Sequence, residues 1–277
     1  MKKNKVWFVT GASKGLGLSL VKQLLTEGYK VAVTSRTTDS LKKAVDTDVE
    51  DFLPLEVDLA NDESVRKAIE QTKEKFGRVD VAVNNAGYGI GGSIEELNDK
   101  EVRESFDINV FGTINVIRHV LPVMRAQGSG HIINISSIAG IAPGLGWSVY
   151  GAAKHAVIGL TEVLAEDVKP FGIKATVVAP GGFRTNFNNP DSVVFAGKQL
   201  EAYAGIRATH GRFSENSGHQ KGDPDRAARA MIDLAENAEP PVYLLLGTDA
   251  YERALKKIEL LNNEFTKAEI TTKSTDY

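Results

Sequence analysis

Seven short apolar runs alternate along this chain with segments whose apolar residues recur at helical spacing. The apolar runs cover residues 5–10, 29–35, 51–57, 79–85, 131–137, 173–179 and 241–247. Helical spacing covers residues 14–27, 62–76, 99–126 and 149–171. Most runs are continuously apolar, which is typical of strands covered on both faces. Strands and helices in alternation predict βαβ units, and therefore an α/β fold built on a parallel sheet of seven strands.

Composition and charge limit the class of protein. The 277 residues include 33 Lys and Arg and 36 Asp and Glu, and the net charge of −3 gives no electrostatic footprint for nucleic acid. The chain has no cysteine, which excludes disulfides, thiol catalysis and thiolate metal sites. The apolar run at 6–9 is too short for a signal peptide, and no apolar stretch reaches the roughly 18 residues of a membrane helix. We expect one cytoplasmic domain over residues 1–277, without a membrane span or a nucleic-acid partner.

The rhythm of strands and helices breaks after Pro180, where about sixty residues pass before the next strand. Long insertions in compact domains are usually lids or disordered segments. Because residues 199–210 have helical spacing, we predict a helical substrate lid over about 182–225. The tail from 248 to 277 is predicted to be a helical extension, with a helix over 251–265. Its apolar side, which includes Ala254, Ile258, Leu261 and Phe265, is expected to pack beside the last strand, and the alternative is that it folds over the lid.

A glycine-rich turn, VTGASKGLG, follows the first strand and begins the first helix. Gly11, Gly15 and Gly17 allow a tight turn and let a pyrophosphate approach the helix N-terminus, where free N–H groups favour an anion. A plain strand-to-helix turn would have a similar composition. The position of the turn, directly after the first strand, favours a dinucleotide-binding site.

Three residues near this turn indicate which dinucleotide is bound. An NAD site usually has an acidic residue at the end of the second strand, where it binds the ribose 2′-hydroxyl. This chain has Ser35 and Arg36 there, and Lys14 lies inside the glycine turn. A hydroxyl, a guanidinium and an ammonium would bind a 2′-phosphate, so the sequence favours NADP(H) over NAD. The alternative is that Lys14 and Arg36 are solvated surface charges.

Tyr150 precedes Lys154 by four residues, with only Gly151, Ala152 and Ala153 between them. On a helix this spacing puts the phenol and the ammonium on one face. The small residues between them leave that face open to a large, flat ligand. Tyr-x-x-x-Lys alone is a weak signal, because a chain with this many lysines carries it by chance about once.

As a set, these motifs resemble the single-domain short-chain dehydrogenases/reductases, and within them the NADP-preferring enzymes similar to hydroxysteroid dehydrogenases and carbonyl reductases. TGASKGLG matches the cofactor motif of that family, NNAG at 84–87 its sheet-stabilising motif, and YGAAK at 150–154 its catalytic motif. Asn109, Ser137 and PGGFRT at 180–185 follow in the order and spacing of the family. The resemblance implies a Rossmann-type, doubly wound sheet in three α/β/α layers.

The resemblance, which covers about residues 5–250, also implies roles. Asp58 would bond the adenine amino group, Ser137 would polarise the substrate, and Asn109 would hold a water beside the lysine. The implied catalytic residues are Asn109, Ser137, Tyr150 and Lys154. The implied cofactor-binding residues are Gly11, Ser13, Lys14, Gly15, Leu16, Gly17, Ser35, Arg36, Asp58, Leu59, Asn85, Ala86, Gly87, Tyr150, Lys154, Pro180, Gly181 and Thr185.

Carbonyl reduction needs a hydride, which a nicotinamide cofactor supplies, and a proton for the resulting alkoxide. Tyr150 is the expected acid, and the charge of Lys154 is expected to lower the pKa of the phenol from its usual value near 10. Ser137 is expected to donate to the substrate oxygen. These residues predict an NADP(H)-dependent oxidoreductase acting on a ketone or aldehyde and its alcohol. The alternative is a non-catalytic NADP-binding sensor or scaffold, although such proteins typically lack the tyrosine or the lysine.

The remaining expectations concern the substrate and the assembly. The segment IAGIAPGLGW after Ser137 is apolar, which favours a hydrophobic carbonyl compound over a phosphorylated or strongly acidic one. Trp147 and Phe183 are candidates either for the wall of the pocket or for the core. The five histidines form no ligand-like cluster with carboxylates, so no metal site is predicted. We expect a homodimer through helices 99–126 and 149–171, with a tetramer as the alternative.

Overall fold

The computed structural model describes residues 4–47 and 49–277, and its centre is a parallel sheet of seven strands. The strands of the molecule are β1 Val6–Thr10, β2 Lys30–Ser35, β3 Phe52–Glu56, β4 Val81–Asn84, β5 Gly89–Gly91, β6 Gly130–Ile135, β7 Ile173–Pro180, β8 Val193–Phe195 and β9 Tyr243–Leu246. The central sheet has the order β3-β2-β1-β4-β6-β7-β9, and all neighbours are parallel. Each predicted run matches one of its strands to within one or two residues at either end, so the predicted sheet is confirmed. Because β1 lies between β2 and β4, the winding direction reverses there, and such a switch point forms a ligand-binding crevice.

Helices cover both faces of the sheet and complete the three predicted layers. The helices are α1 Gly15–Thr26, α2 Thr38–Val45, α3 Asp62–Phe76, α4 Asp99–Phe106, α5 Gly112–Gln127, α6 Ile138–Ile141, α7 Ser148–Val168, α8 Ala204–Glu215, α9 Pro224–Glu236 and α10 Thr248–Lys273. Side chains alternate along β1, so Trp7 and Val9 pack with α1 and α9 while Phe8 packs with α3, α5 and α7. No helix in the described part of the chain is both long and apolar enough to cross a bilayer.

The helix predicted over 99–126 is interrupted by a five-residue π-helical turn, Asp107–Phe111, between α4 and α5. Side chains in this turn bond helix carbonyl groups. The Asn109 amide donates to the carbonyl of Ser105 at 2.9 Å, and the Thr113 hydroxyl donates to the carbonyl of Asn109 at 3.2 Å. Such bonds compete with the regular backbone ladder, and π-bulges are frequent at functional sites. Hydrophobic spacing alone could not predict this turn.

The segment predicted as a lid, 182–225, consists of short pieces that include β8 and α8. β8 pairs with β5 in a separate two-stranded parallel sheet, which the sequence analysis did not predict because three-residue strands carry little pattern. Glu96, which is 4% exposed, anchors this segment to the rest of the molecule. Its carboxylate accepts from Arg207 Nη1 at 3.1 Å and from the backbone N–H of Leu200 at 3.0 Å.

The tail forms α10, which is longer than the helix predicted over 251–265. Ala250 and Ala254 are buried against α6 and β9. Farther along, Ile258 is 60% exposed and Phe265 is 69% exposed. The expectation that an apolar side of this helix is buried beside the last strand is therefore wrong for most of its length, because the helix contacts the body only through its first turns.

Candidate active site

Tyr150 and Lys154 lie one turn apart on α7, as their spacing predicted, and they are 7% and 5% exposed. The Lys154 ammonium donates to the carbonyl oxygen of Ile135, at the end of β6, with a distance of 3.0 Å. Lys154 Nζ lies 5.8 Å from the centre of the Tyr150 ring. Ser137 accepts from the N–H of Ala139 at 3.1 Å, and its hydroxyl lies near enough to the Tyr150 phenol to lower the pKa of that phenol. Three of the four predicted catalytic side chains are therefore together.

Burial determines the protonation of this pair. Burial raises the pKa of Tyr150 to about 12, and the neighbouring Ser137 hydroxyl acts in the opposite direction. Burial also lowers the pKa of Lys154 to about 8, so the ammonium keeps its charge at neutral pH. The expected lowering of the Tyr150 pKa by Lys154 is absent from this structure, because the ammonium donates to Ile135 and desolvation dominates at the phenol. The phenol is consequently protonated at neutral pH.

Asn109, the fourth predicted residue, lies in the π-helical turn and is 1% exposed. Its amide nitrogen donates to the carbonyls of Ser105 at 2.9 Å and Tyr88 at 3.1 Å. Its Oδ1 has no hydrogen-bond partner among the residues that the structure describes. A Cβ on Gly87 would lie 2.5 Å from this oxygen and 3.2 Å from Lys154 Nζ, so both polar atoms border the same small space. A buried acceptor beside an ammonium has the chemistry needed to hold a water.

The glycine turn after β1 fits the pyrophosphate of a dinucleotide. Gly11 and Gly15 have φ angles of +67° and +62°, which side chains rarely adopt. A Cβ on Gly11 would lie 2.6 Å from the Cα of Ala86. No side chain in the described residues caps the first N–H groups of α1. These N–H groups and the helix dipole favour an anion at this turn.

Gly17 was predicted to contact the cofactor, but it does not line the cavity. A Cβ at this position would lie 2.4 Å from Nδ2 of Asn85. The Asn85 amide donates to the carbonyls of Thr10 at 3.0 Å and Gly11 at 2.9 Å. Gly17 therefore allows α1 to pack against Asn85, which holds the glycine turn in place.

The basic residues Lys14 and Arg36 line the same cavity, together with Ser35 at the end of β2. Lys14 Nζ donates to the carbonyl of Asp191 at 3.0 Å. Partial burial lowers the pKa of Lys14, Asp191 raises it, and Arg36 lowers it further. Lys14 is thus more than a solvated surface charge, and it lies close enough to Arg36 for the two cations to interact.

One cavity of about 1590 Å³ connects the catalytic side chains with the glycine turn and the basic residues. Asn109 is buried behind its wall. All predicted cofactor-binding residues other than Gly17 line it, namely Gly11, Ser13, Lys14, Gly15, Leu16, Ser35, Arg36, Asp58, Leu59, Asn85, Ala86, Gly87, Tyr150, Lys154, Pro180, Gly181 and Thr185. The described residues include no group of three or more His, Asp or Glu side chains suited to a metal ion.

Aromatic side chains form the wall of the cavity around Tyr150. The ring of Trp147 is edge-on to the ring of Tyr150 at 6.0 Å, and the ring of Phe187 lies 6.2 Å from it. Phe213 of α8 is 4.9 Å from Trp147. Trp147 and Phe183 were candidates for this wall, and both line the cavity, although Phe183 also packs against the core. Phe187 and Phe213 were missed because no motif marks them.

The comparison with known proteins establishes the family. The sequence model described as "short chain dehydrogenase" matches residues 5–192. This chain belongs to the short-chain dehydrogenase/reductase family. It is 37% identical over 263 residues to Oxidoreductase BOA17 of Botryotinia fuckeliana (strain B05.10), which covers 93% of this chain and 94% of that protein.

Solved structures agree with this assignment. A short-chain dehydrogenase from Streptomyces avermitilis superposes with a TM-score of 0.91 at 35% identity, covering 98% of this chain and 100% of that one. ElxO with bound NADP superposes with a TM-score of 0.73 at 29% identity, covering 89% of this chain and 97% of that one. This short-chain dehydrogenase/reductase is an oxidoreductase that binds a nicotinamide cofactor, in agreement with its family and with the NADP held by ElxO.

Helix α10 adds side chains to the cavity that the sequence analysis did not assign. These side chains are Asp249, Arg253, Lys256, Lys257 and Leu260. Asp249 Oδ2 accepts from the N–H of Gly182 at 2.9 Å, so the start of the tail contacts the loop after β7. These residues lie beyond the family motifs. The only signal for them is their spacing of three and four residues, which puts the last four on one helical face.

Proposed function

We propose that the protein is an NADP(H)-dependent enzyme that interconverts a hydrophobic ketone or aldehyde and its alcohol, with Tyr150 as general acid and base. The observation that carries this proposal is the convergence of Tyr150, Ser137 and Lys154 in one cavity with the glycine turn. A bound nicotinamide cofactor supplies or accepts the hydride. The residues of this chain supply the proton and stabilise the charge on the substrate oxygen.

The Tyr150 hydroxyl is the proposed proton donor in reduction. Because the pKa of Tyr150 is raised to about 12, the phenol carries its proton at neutral pH. Alcohol oxidation requires the phenolate, so its rate should rise as the pH rises toward that value. The Ser137 hydroxyl, which lies beside the phenol, would donate to the substrate oxygen as negative charge develops on it.

Lys154 and Asn109 are proposed to support this proton transfer. The ammonium of Lys154 would stabilise the phenolate that remains after Tyr150 has donated its proton, and it would also bond the nicotinamide ribose of the cofactor. A water held between Asn109 Oδ1 and Lys154 Nζ would return a proton to the site. The support for this role is that both atoms border the position beside Gly87 and that the oxygen has no partner in the described residues.

The choice of NADP(H) over NAD(H) rests on Lys14, Ser35 and Arg36. All three line the cavity, and Lys14 and Arg36 are near enough to influence each other electrostatically. Two adjacent cations repel each other unless an anion lies between them, and a 2′-phosphate is such an anion. A carboxylate in place of Ser35 would instead favour NAD(H).

The rings of Trp147, Phe187 and Phe213 support a hydrophobic substrate, because they surround Tyr150 and offer apolar surface. The test is to mix the protein with NADPH and a panel of aliphatic, alicyclic and aromatic ketones and aldehydes, and to follow the absorbance of NADPH. We expect oxidation of NADPH with apolar carbonyl compounds. Tight NADPH binding without turnover of any of them would favour the alternative, a non-catalytic sensor or scaffold.

Replacing Ser35 with Asp and Arg36 with Leu should shift the cofactor preference toward NADH. The new carboxylate would repel the 2′-phosphate and accept from the ribose hydroxyl. Because hydrogen bonds to charged groups contribute about 1.5–3 kcal/mol each, we expect the NADPH-to-NADH ratio of kcat/KM to fall by about a hundredfold or more. Lys43→Leu, on the exposed side of α2, is the control and should leave the ratio unchanged. A wild-type protein that already prefers NADH would contradict the NADP assignment.

We also propose that the chain is one cytoplasmic domain and that it forms a homodimer. Phe111 and Val163, in the two regions predicted to pair, are 52% and 63% exposed, which supports a contact there. Light scattering at micromolar concentration should give a mass near twice 29.9 kDa, and Val163→Glu should lower it to that of a monomer. A mass near four times that of the chain, unchanged on dilution, would contradict the dimer.

A further inference from the structure

Helix α10 presents three cations to the cavity on one face. Arg253, Lys256 and Lys257 line the cavity together with Leu260. Spacings of three and four residues bring side chains to the same side of a helix. The face therefore combines positive charge with the apolar stems of the lysines and a leucine.

The contacts of α10 place these cations at the substrate end of the cavity. Ala254 is buried in a cluster with Ile138, and Ala142 packs against that cluster. The guanidinium of Arg253 donates to the carbonyl oxygen of Ala142, which itself lines the cavity. Arg253 thus adjoins the apolar wall that follows Ser137, whereas Lys14 in the glycine turn donates to the carbonyl of Asp191.

The charge on this face is only partly balanced by the protein: burial lowers the pKa of Arg253, and the Asp249 carboxylate acts in the opposite direction. Among residues 4–47 and 49–277, no carboxylate lies within 4 Å of the three cations, whereas Lys267 and Lys273 of the same helix pair with Glu264 and Glu269. Arg253 is half-buried, and Asp249 one turn earlier accepts from the N–H of a loop residue. The other acidic residues that line the cavity belong to other elements, namely Glu56, Asp58, Glu101, Glu104 and Asp191.

We infer that the substrate is an amphiphile whose apolar body carries the carbonyl group and whose other end carries an anionic group, a carboxylate or a phosphate, bound by Arg253, Lys256 and Lys257. This inference rests on the proposed function. The aromatic rings around Tyr150 accommodate the apolar body, and charge-assisted hydrogen bonds from α10 hold the anionic end. The sequence favoured a substrate without an acidic group, because the segment after Ser137 is apolar and the cations of α10 were not assigned to the pocket.

The test compares methyl-ketone carboxylic acids of increasing chain length with their own methyl esters and with the corresponding phosphate monoesters. The measured quantity is kcat/KM with saturating NADPH. The informative variant is Lys256→Gln with Lys257→Gln, because neither side chain makes a hydrogen bond or ion pair in the described residues and folding should be unaffected. Lys267→Gln is the matched control, because it removes a cation from the same helix away from the cavity.

For at least one chain length, we expect wild-type protein to prefer an anionic ketone over its ester by about tenfold or more. The preference should be lost in the Lys256→Gln, Lys257→Gln variant and kept in Lys267→Gln. Phosphate monoesters favoured over acids would identify phosphate as the anion, and the reverse would identify carboxylate. Esters reduced as fast as both anions, or a preference that survives the double substitution, would overturn this inference alone. No reduction of any ketone would overturn the proposed function and this inference with it.

Discussion

Tyr150→Phe is expected to lower kcat/KM for carbonyl reduction by about 10²–10⁴-fold, the range that general acid catalysis usually contributes. The substitution keeps the aromatic ring and its packing against Trp147 and Phe187, and removes only the hydroxyl beside Ser137. The affinity for NADPH should therefore remain nearly unchanged. Steady-state kinetics and a fluorescence titration with NADPH measure the two quantities.

Tyr251→Phe is the matched control for this substitution, because Tyr251 is 56% exposed on α10 and does not line the cavity. It should retain wild-type kinetics. If Tyr150→Phe kept more than about a hundredth of the activity, another group would be the proton donor.

Lys154→Met should reduce both turnover and cofactor affinity. The ammonium is buried, and in the proposed site it stabilises the phenolate and contacts the cofactor ribose. We expect at least a hundredfold loss of kcat, roughly the lower end of acid–base contributions, together with weaker NADPH binding. The substitution also leaves the carbonyl of Ile135 without its donor, which costs about 1–3 kcal/mol of stability. Thermal unfolding should be recorded with the kinetics.

Lys174→Met is the control that separates the loss of stability in Lys154→Met from its loss of catalysis. Its ammonium also donates to backbone carbonyls, those of Asn237 and Ala238, but it lies away from the cavity. We expect some loss of stability with normal kinetics. Normal NADPH affinity in Lys154→Met would remove the ribose-binding role from Lys154.

The pH dependence of carbonyl reduction should follow the charge of Lys154. Because the pKa of Lys154 is lowered to about 8, its charge is present below that pH and is lost as the pH rises through it. Reduction should therefore decline above about pH 8 in the wild-type protein. In Lys154→Arg, whose guanidinium stays charged, the decline should be absent or displaced to higher pH. If the pH profile of Lys154→Arg matched that of the wild-type protein, Lys154 would not be the group whose titration causes the decline.

The sequence predicted the central sheet because its strands are covered on both faces and consequently read as continuous apolar runs. The same logic explains what was missed. β5 and β8 have three residues each, too few to establish a pattern, and the π-helical turn at Asp107–Phe111 depends on side-chain bonds of Asn109 that periodicity cannot reveal. Periodicity describes regular helices and strands. The pairing of β5 with β8 joins distant segments, and the π-helical turn depends on individual side-chain bonds.

In the candidate site, too, some residues were predictable from the sequence and others were not. The residues in motifs were predicted and line the cavity, because the carboxyl ends of parallel strands meet at one edge of a sheet. Asn109, which is buried behind the wall, and Gly17 are the exceptions. A glycine required for packing against Asn85 looks identical in sequence to a glycine that contacts a ligand. The cavity-facing residues of α10 were missed because an amphipathic helix does not reveal which of its faces meets a neighbour.

The proposed function depends most directly on whether this chain reduces a carbonyl group with hydride from NADPH. The decisive measurement uses NADPH labelled with deuterium on the transferable position of the nicotinamide ring, the best apolar ketone of the panel, and mass spectrometry of the product. The proposed function predicts one deuterium on the carbinol carbon of the alcohol formed by the wild-type protein, and no alcohol above background with Tyr150→Phe. An unlabelled product, or equal product from Tyr150→Phe, would contradict it.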